Sequence, residues 1–147
     1  MEIVNMTGAH VAQVAELERI CFGTEAWSEK SVASELENEL ALWLVAAEND
    51  RVLGYVGSQT VMGETDMMNV AVHPEFRRRG VAEALVTELV ARLKVLGSRC
   101  LALEVRASNE SARKLYEKLG FGMAGLRKNY YRNPREDALI LRKEWDT

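Results

Sequence analysis

A carboxylate stands alone in an otherwise apolar run at Leu101-Ala102-Leu103-Glu104-Val105, followed by Arg106-Ala107-Ser108-Asn109. If the run is a strand, Leu101, Leu103 and Val105 share one face, and Ala102 and Glu104 share the other. An unsolvated carboxylate beside such neighbours is costly unless it is functional. Partial burial would raise its pKa toward the range useful to a general base, whereas a half-exposed strand end would make it an ordinary surface glutamate. Twelve residues on, Tyr116 lies in Ala112-Arg113-Lys114-Leu115-Tyr116-Glu117-Lys118-Leu119, on the stripe formed by Ala112, Leu115 and Leu119. Its default reading is a packed core tyrosine, but a buried hydroxyl must still find a partner. Asn109 is suited to capping that helix.

A second chemical segment is Asn69-Val70-Ala71-Val72-His73-Pro74-Glu75-Phe76-Arg77-Arg78-Arg79-Gly80-Val81-Ala82. It leaves a strand, passes a proline that cannot extend the ladder, and enters a helix through three arginines and a glycine. A helix N-terminus offers unpaired N–H groups and a partial positive charge, so phosphate oxygens would be welcome there. The alternative is a solvated basic loop before an ordinary surface helix. The spacing is neither that of a P-loop nor that of a dinucleotide fingerprint.

The elements that must position these residues are legible from periodicity. Glu2–Met6 alternates like a short strand. Val11, Val14, Leu17 and Cys21 then recur at helical spacing after Thr7, and Gly23 ends the helix. Ser28 caps a second helix whose apolar side is Val32, Leu36 and Leu40, with Trp27 placed to staple onto Val32. Three antiparallel strands follow over 42–47, 52–61 and 67–72, with turns at Glu48-Asn49-Asp50-Arg51 and Gly63-Glu64. A helix from Gly80 to Leu96 shows Leu85, Leu89, Leu93 and Leu96 on one face, and Gly97 ends it. Residues 100–107 form a strand and 109–119 a helix stopped by Gly120; 121–131 and 138–145 form a last hairpin. The order is β-α-α-β-β-β-α-β-α-β-β, and the strands flanking the long helix should be parallel because such a connection returns to the same end of the sheet.

One domain over residues 1–147 is expected from a length of 147 residues, with 48% apolar and 28% charged side chains arguing against disorder. The net charge of −3 excludes a generally basic nucleic-acid binder. It conceals an asymmetry. Residues 1–50 hold ten acidic and two basic side chains, and residues 51–147 hold twelve acidic and seventeen basic. Cys21 and Cys100 form no C-x-x-C motif and read as reduced thiols. No run approaches the ~20 apolar residues of a membrane span, and Met-Glu-Ile-Val-Asn is no secretion signal, so a cytoplasmic protein with no membrane partner is expected. His10 and His73 are the only histidines and sit in no ligand cluster; no metal is expected.

Taken together, these segments resemble a known family. Arg77-x-x-Gly80-x-Ala82 resembles the Q/R-x-x-G-x-G/A acetyl-CoA signature of the GNAT N-acetyltransferases, and the element order is that family's order. Asn-Val-Ala-Val-His-Pro upstream and Ala-Arg-Lys-Leu-Tyr-Glu-Lys-Leu-Gly-Phe downstream make the resemblance specific. Trp27-Ser28-Glu29-Lys30, Leu103 to Asn109, Asn129-Tyr130-Tyr131 and Arg135-Glu136-Asp137-Ala138 resemble its branch acting on the N-terminal alanine of ribosomal proteins. Two departures are small: Ala82 stands for a commoner glycine, and His73 for a frequent aspartate.

The resemblance implies an α/β (α+β) fold: a mixed, mostly antiparallel seven-stranded sheet with a central parallel pair and about four helices. It implies acetyl-CoA as co-substrate and direct transfer in a ternary complex, needing neither cysteine as carrier. By the same resemblance Glu104 is the general base, and Tyr116 protonates the departing thiolate of coenzyme A. Val70, Ala71 and Val72 would pair with pantetheine. Arg78, Arg79, Gly80, Val81, Ala82 and Glu83 would cradle the pyrophosphate, and Asn109 would contact the cofactor. Trp27, Tyr130 and Tyr131 would flank a peptide N-terminus, although staple and sheet-packing roles are the competing readings. Other functions left open are a broader N-terminal or lysine ε-amino acetyltransferase and a non-catalytic acyl-CoA-binding module.

Overall fold

The computed structural model describes residues 1–145. Among these, the strands are β1 (Glu2–Asn5), β2 (Ala41–Glu48), β3 (Arg51–Val61), β4 (Glu64–Val72), β5 (Cys100–Arg106), β6 (Gly122–Tyr131) and β7 (Glu136–Glu144). The helices are α1 (Val11–Phe22), α2 (Glu29–Ser34), α3 (Val81–Val95) and α4 (Glu110–Lys118). The strands form one sheet in the order β1-β2-β3-β4-β5-β7-β6, antiparallel throughout except for β4 and β5. The expected class, element order and parallel pair are all present.

Side-chain alternation divides the core between the two faces of this sheet. Trp43, Val45, Tyr55 and Ala71 pack with Val11, Val14, Leu17 and Val32 of α1 and α2. Leu44, Val56, Val72, Leu101, Leu103 and Val105 pack with Leu85, Leu89 and Leu93 of α3 and Tyr116 of α4. The first two hairpins turn through paired left-handed residues, Asn49-Asp50 and Met62-Gly63, with φ between 50° and 81°. Such turns match the twist of the strands they join.

Helix ends account for three misplaced leucines. α2 stops at Ser34 and passes into a 3-10 turn over Glu35–Glu37, because Asn38 bonds both the Leu40 N–H (3.0 Å) and Glu35 (3.0 Å). Leu36 and Leu40, expected on a buried stripe, are therefore exposed. At the end of α3 the Ser98 N–H reaches Leu93 O (3.0 Å) and the Gly97 N–H reaches Lys94 O (3.2 Å), a Schellman closure with Gly97 at φ 89°. That closure turns Leu96 into solvent.

β4 starts three residues earlier than its alternation suggests, and the extra residues make the parallel ladder. Glu64, Thr65 and Asp66 pair with Cys100, Leu101 and Ala102, and there the ladder ends. Beyond it β4 and β5 diverge, so the sheet carries a gap in its centre. Met68 is an extra residue opposite the Gly57/Ser58 step of β3, a β-bulge at the mouth of this gap. It inverts the alternation: Asn69 and Ala71 face α1, whereas Met67 faces α4.

Candidate active site

Two grooves meet at the gap. The first, of about 650 Å³, runs between β4, the start of α3 and α4, and is lined by Val70, Ala71, Val72, Arg77, Arg78, Gly80, Val81, Ala82, Glu83, Asn109 and Tyr116. The second, of about 420 Å³, opens on the α1 side and is lined by Glu25, Trp27, Asn69, Glu104, Asn109, Tyr116 and Tyr131. Asn109, Ala112 and Tyr116 belong to both, so the two grooves are continuous through the sheet.

The first groove offers open backbone groups along β4 and a left-handed turn before a helix start at its other end. The His73 N–H bonds back to Leu53 O (2.8 Å), toward β3. By alternation the backbone groups of Ala71 also face β3, and those of Val70 and Val72 face the gap, where no strand satisfies them. Val72 O is engaged by Arg77 Nε (3.2 Å), and the remaining groups can take a ligand's amides.

At the groove's other end Arg78 (φ 66°) and Gly80 (φ 75°) are both left-handed. Holding a non-glycine residue there costs on the order of 1 kcal/mol. This curvature turns successive N–H groups inward as an anion-binding concavity. The first intrahelical bond of α3 is donated by Ala84 to Gly80 O (3.0 Å), which leaves the N–H groups of Val81, Ala82 and Glu83 for a phosphate. Glu83, which would repel one, is paired to Lys118 (3.2 Å). Arg79 does not join the groove. Its guanidinium sits on Glu48 (3.3 Å) and over the Phe76 ring, outside the lining.

Tyr116 and Glu104 approach the gap from opposite faces of the sheet. Tyr116 is 3% exposed, packed edge-on against Phe121, and among the described residues its hydroxyl has Met67 Sδ (3.7 Å) as its hydrogen-bond partner. Burial alone pushes its pKa up to about 12, so near neutrality the hydroxyl keeps its proton. Glu104 is not in an apolar pocket. Arg127 Nε lies 3.0 Å from Oε1, and Tyr130 shares the depression with this carboxylate, whose hydrogen-bonding influence and charge raise the pKa of Tyr130. Asn109 caps α4 through Oδ1, accepting the Ala112 N–H (3.1 Å), and keeps its amide N–H groups for the groove.

With this geometry in view, comparison with known proteins decides the family. The acetyltransferase (GNAT) family profile matches residues 11–121. The chain belongs to that family. It is an acetyl-CoA-dependent N-acetyltransferase. It is 41% identical over 117 residues to the [ribosomal protein bS18]-alanine N-acetyltransferase of Escherichia coli K12, covering 78% of each chain. A crystal structure of the ribosomal-protein-S18-alanine N-acetyltransferase from Escherichia coli superposes with a TM-score of 0.90 at 34% identity, covering 99% of this chain and 94% of that one. An aminoglycoside 6'-N-acetyltransferase complexed with coenzyme A, 17% identical, shares the fold at a TM-score of 0.85, with 98% and 97% coverage. The co-substrate's chemistry suits the first groove: amides for the open edge of β4 and phosphates for the start of α3.

The residues proposed to flank the acceptor are brought together in part. Trp27 and Tyr131 line the second groove, while Tyr130 lies in an adjoining depression with Glu104, Arg127 and Tyr131. Trp27 packs against Trp43 (5.5 Å between ring centres). Tyr131 carries the Arg106 guanidinium over its ring at 4.3 Å. Among the described residues no cluster of three or more His, Cys, Asp or Glu side chains forms a metal site, and no helix is long and apolar enough to cross a membrane.

Sequence reasoning passed over Glu18. It is 0% exposed, yet it accepts the Trp27 N–H (2.8 Å), Asn69 Nδ2 (2.8 Å) and the Tyr55 hydroxyl. Desolvation raises its pKa, opposed by the Trp27 and Asn69 bonds. The available signal was positional: Glu18 falls four residues after Val14 on the apolar stripe of α1.

Proposed function

We propose that this enzyme acetylates the α-amino group of a protein N-terminus, with the N-terminal alanine of a small-subunit ribosomal protein as its substrate. The supporting observation is that Glu104 and Tyr116 open onto one continuous groove from opposite faces of the sheet. A base on the acceptor side and an acid on the coenzyme side match the two proton transfers of aminolysis. The names of the relatives supply the alanine and the ribosomal protein.

The amine reaches the gap through the second groove as an ammonium and loses a proton to Glu104, directly or through one water. The neutral amine attacks the thioester carbonyl, whose developing negative charge is received by a backbone N–H at the open edge of β4. The zwitterionic tetrahedral intermediate collapses, the C–S bond breaks, and Tyr116 gives its proton to the leaving sulfur. The second proton of the attacking nitrogen leaves as the amide forms and is relayed through water to the Tyr116 phenolate, which restores the acid. A thiolate formed in the groove that desolvates Tyr116 has its own proton affinity raised by the same cause, which keeps this transfer feasible. An α-amine suits the site better than a lysine. Its pKa is lower by about 2.5 units, so freeing it costs about 3 kcal/mol less, and the Arg127 cation beside Glu104 disfavours a persistent ammonium.

The test is a coenzyme A release assay across short peptides: a basic Ala-initiated peptide, its Ser- and Met-initiated variants, and an N-blocked peptide with an internal lysine. Turnover of the Ala-initiated peptide is expected. Turnover of the blocked lysine peptide alone would overturn the N-terminal reading in favour of ε-amino acetylation.

A further inference from the structure

The Glu18 carboxylate joins the two walls of the acceptor groove. From α1 it reaches the Trp27 backbone on one wall and the Asn69 side chain on the other, and the Tyr55 hydroxyl closes the arrangement from β3. The aromatic rings close it a second time. Tyr55 stacks on Trp43 (5.7 Å, 8° between planes), and Trp43 packs on Trp27. A buried anion taking three donors in this way fixes the direction of each donor.

For Asn69 that direction has a chemical consequence. Its amide offers a carbonyl oxygen and an NH₂ at opposite corners, and an ionised carboxylate can only accept. Glu18 therefore captures Nδ2, and Oδ1 is turned the other way. Asn69 lines both depressions that contain Glu104, and the Met68 bulge is what puts it on that face. We propose that Asn69 Oδ1 is the acceptor for an N–H of the incoming acetyl acceptor, and that Glu18 is the positioning residue that keeps an acceptor rather than a donor at that point. The inference deepens the proposed transfer to an amine and rests on that reading, but not on whether the amine is α or ε.

Glu18→Gln is the informative substitution because it preserves shape. A glutamine cannot accept on both sides. When its oxygen keeps the Trp27 N–H, its NH₂ meets Asn69, whose amide then flips and points a donor at the substrate's donor. Asn69→Leu removes the acceptor outright.

The variants are compared with the wild type using whichever peptide the wild type acetylates. Both should raise the peptide KM at least about tenfold, with kcat changed less than threefold and the acetyl-CoA KM within twofold. Equal losses in the KM of both substrates, or an unchanged peptide KM in a folded variant, overturn the inference. A readout without turnover is amide hydrogen exchange at Trp27 in Glu18→Met, which keeps the volume and removes the acceptor. Faster exchange there is expected, and unchanged exchange overturns the positioning role. Failure of the wild type to acetylate the Ala-initiated peptide speaks against the N-terminal reading alone.

Discussion

Arg127 Nε lies 3.0 Å from Glu104 Oε1, although the two residues sit on strands that do not pair. β7 runs between β5 and β6, with Ile140 opposite both Glu104 and Gly125. Arg127 must therefore reach across a whole strand. A register shift in β6 between Arg127 and Tyr131, with Asn129 at φ 53°, places Tyr130 in the depression that Glu104 lines. The Glu104 carboxylate is thus held by a side chain of an edge strand, and an arriving ammonium has to share or displace it. Replacing the carboxylate by an amide keeps hydrogen bonding but removes the proton acceptor. Glu104→Gln is expected to lower kcat at least ~10²-fold in coenzyme A release, with acetyl-CoA binding by calorimetry unchanged. Wild-type turnover in this variant would remove Glu104 from the mechanism.

Tyr116 makes a different prediction because, among the described residues, its hydroxyl donates to a sulfur. Tyr116→Phe should lower kcat at least ~10²-fold while leaving thermal stability at pH 7 within about 1 kcal/mol. The pH dependence carries a sign. Burial raises this group from 10.0 to about 12, so its contribution to stability is whole below pH 10, where folded and unfolded chains are both protonated. Above pH 10 the unfolded chain loses this proton first, and stability falls as pH rises through about 12. The shift corresponds to about 3 kcal/mol. Denaturant titrations at pH 9 and pH 11.5 should show a steeper loss for the wild type than for Tyr116→Phe.

What the sequence made legible is what depends on local pattern. Alternation and paired turn residues marked the strands, and the stripe of Leu85, Leu89 and Leu93 marked α3. Arg78, Gly80 and Ala82 line the first groove because the left-handed turn and the helix start are local features. Errors fall where the outcome is tertiary. Leu96 obeys the helical period and is still turned out by the Schellman closure. The pairing of Arg79 with Glu48, 31 residues away, is likewise beyond local pattern. The Met68 bulge leaves no mark in the alternation of β4, yet it decides which face Asn69 meets. Glu18 was visible as a carboxylate on an apolar stripe, but its three donors come from segments that only the fold brings together.

The acidic character of the first fifty residues suggests that Glu25 and Glu29 receive a basic peptide, and the structure separates the two. Glu25 lines the acceptor groove beside Trp27, whereas Glu29 opens the first turn of α2 outside that lining. Glu25→Gln should raise the KM of a basic peptide roughly three- to tenfold, with the effect shrinking at high salt, as expected of an exposed charge. Glu29→Gln should change it less than twofold, and neither should alter the acetyl-CoA KM. An equal effect of both would mean that the acidic surface acts as a diffuse field rather than through the groove.

Gly57 tests the packing beneath Trp27. It lies opposite Trp43 on β2 and opposite Asn69 on β4, next to the bulge. A Cβ at this position would stand 2.5–2.7 Å from Cε2, Cζ2 and Cδ2 of Trp43. The indole cannot yield easily, because it is stacked on Tyr55 on one side and packed on Trp27 on the other. Gly57→Ala should therefore cost roughly 1–3 kcal/mol, seen as a fall in Tm of roughly 3–10 °C. The disturbance should also be directional. Trp43 moves toward Trp27 and the second groove, while the left-handed turn at Arg78–Gly80 lies at the other end of the site. Below the melting transition, the peptide KM should rise and the acetyl-CoA KM should stay within about twofold. A variant with wild-type Tm and wild-type peptide KM would show that the aromatic stack does not set the position of Trp27.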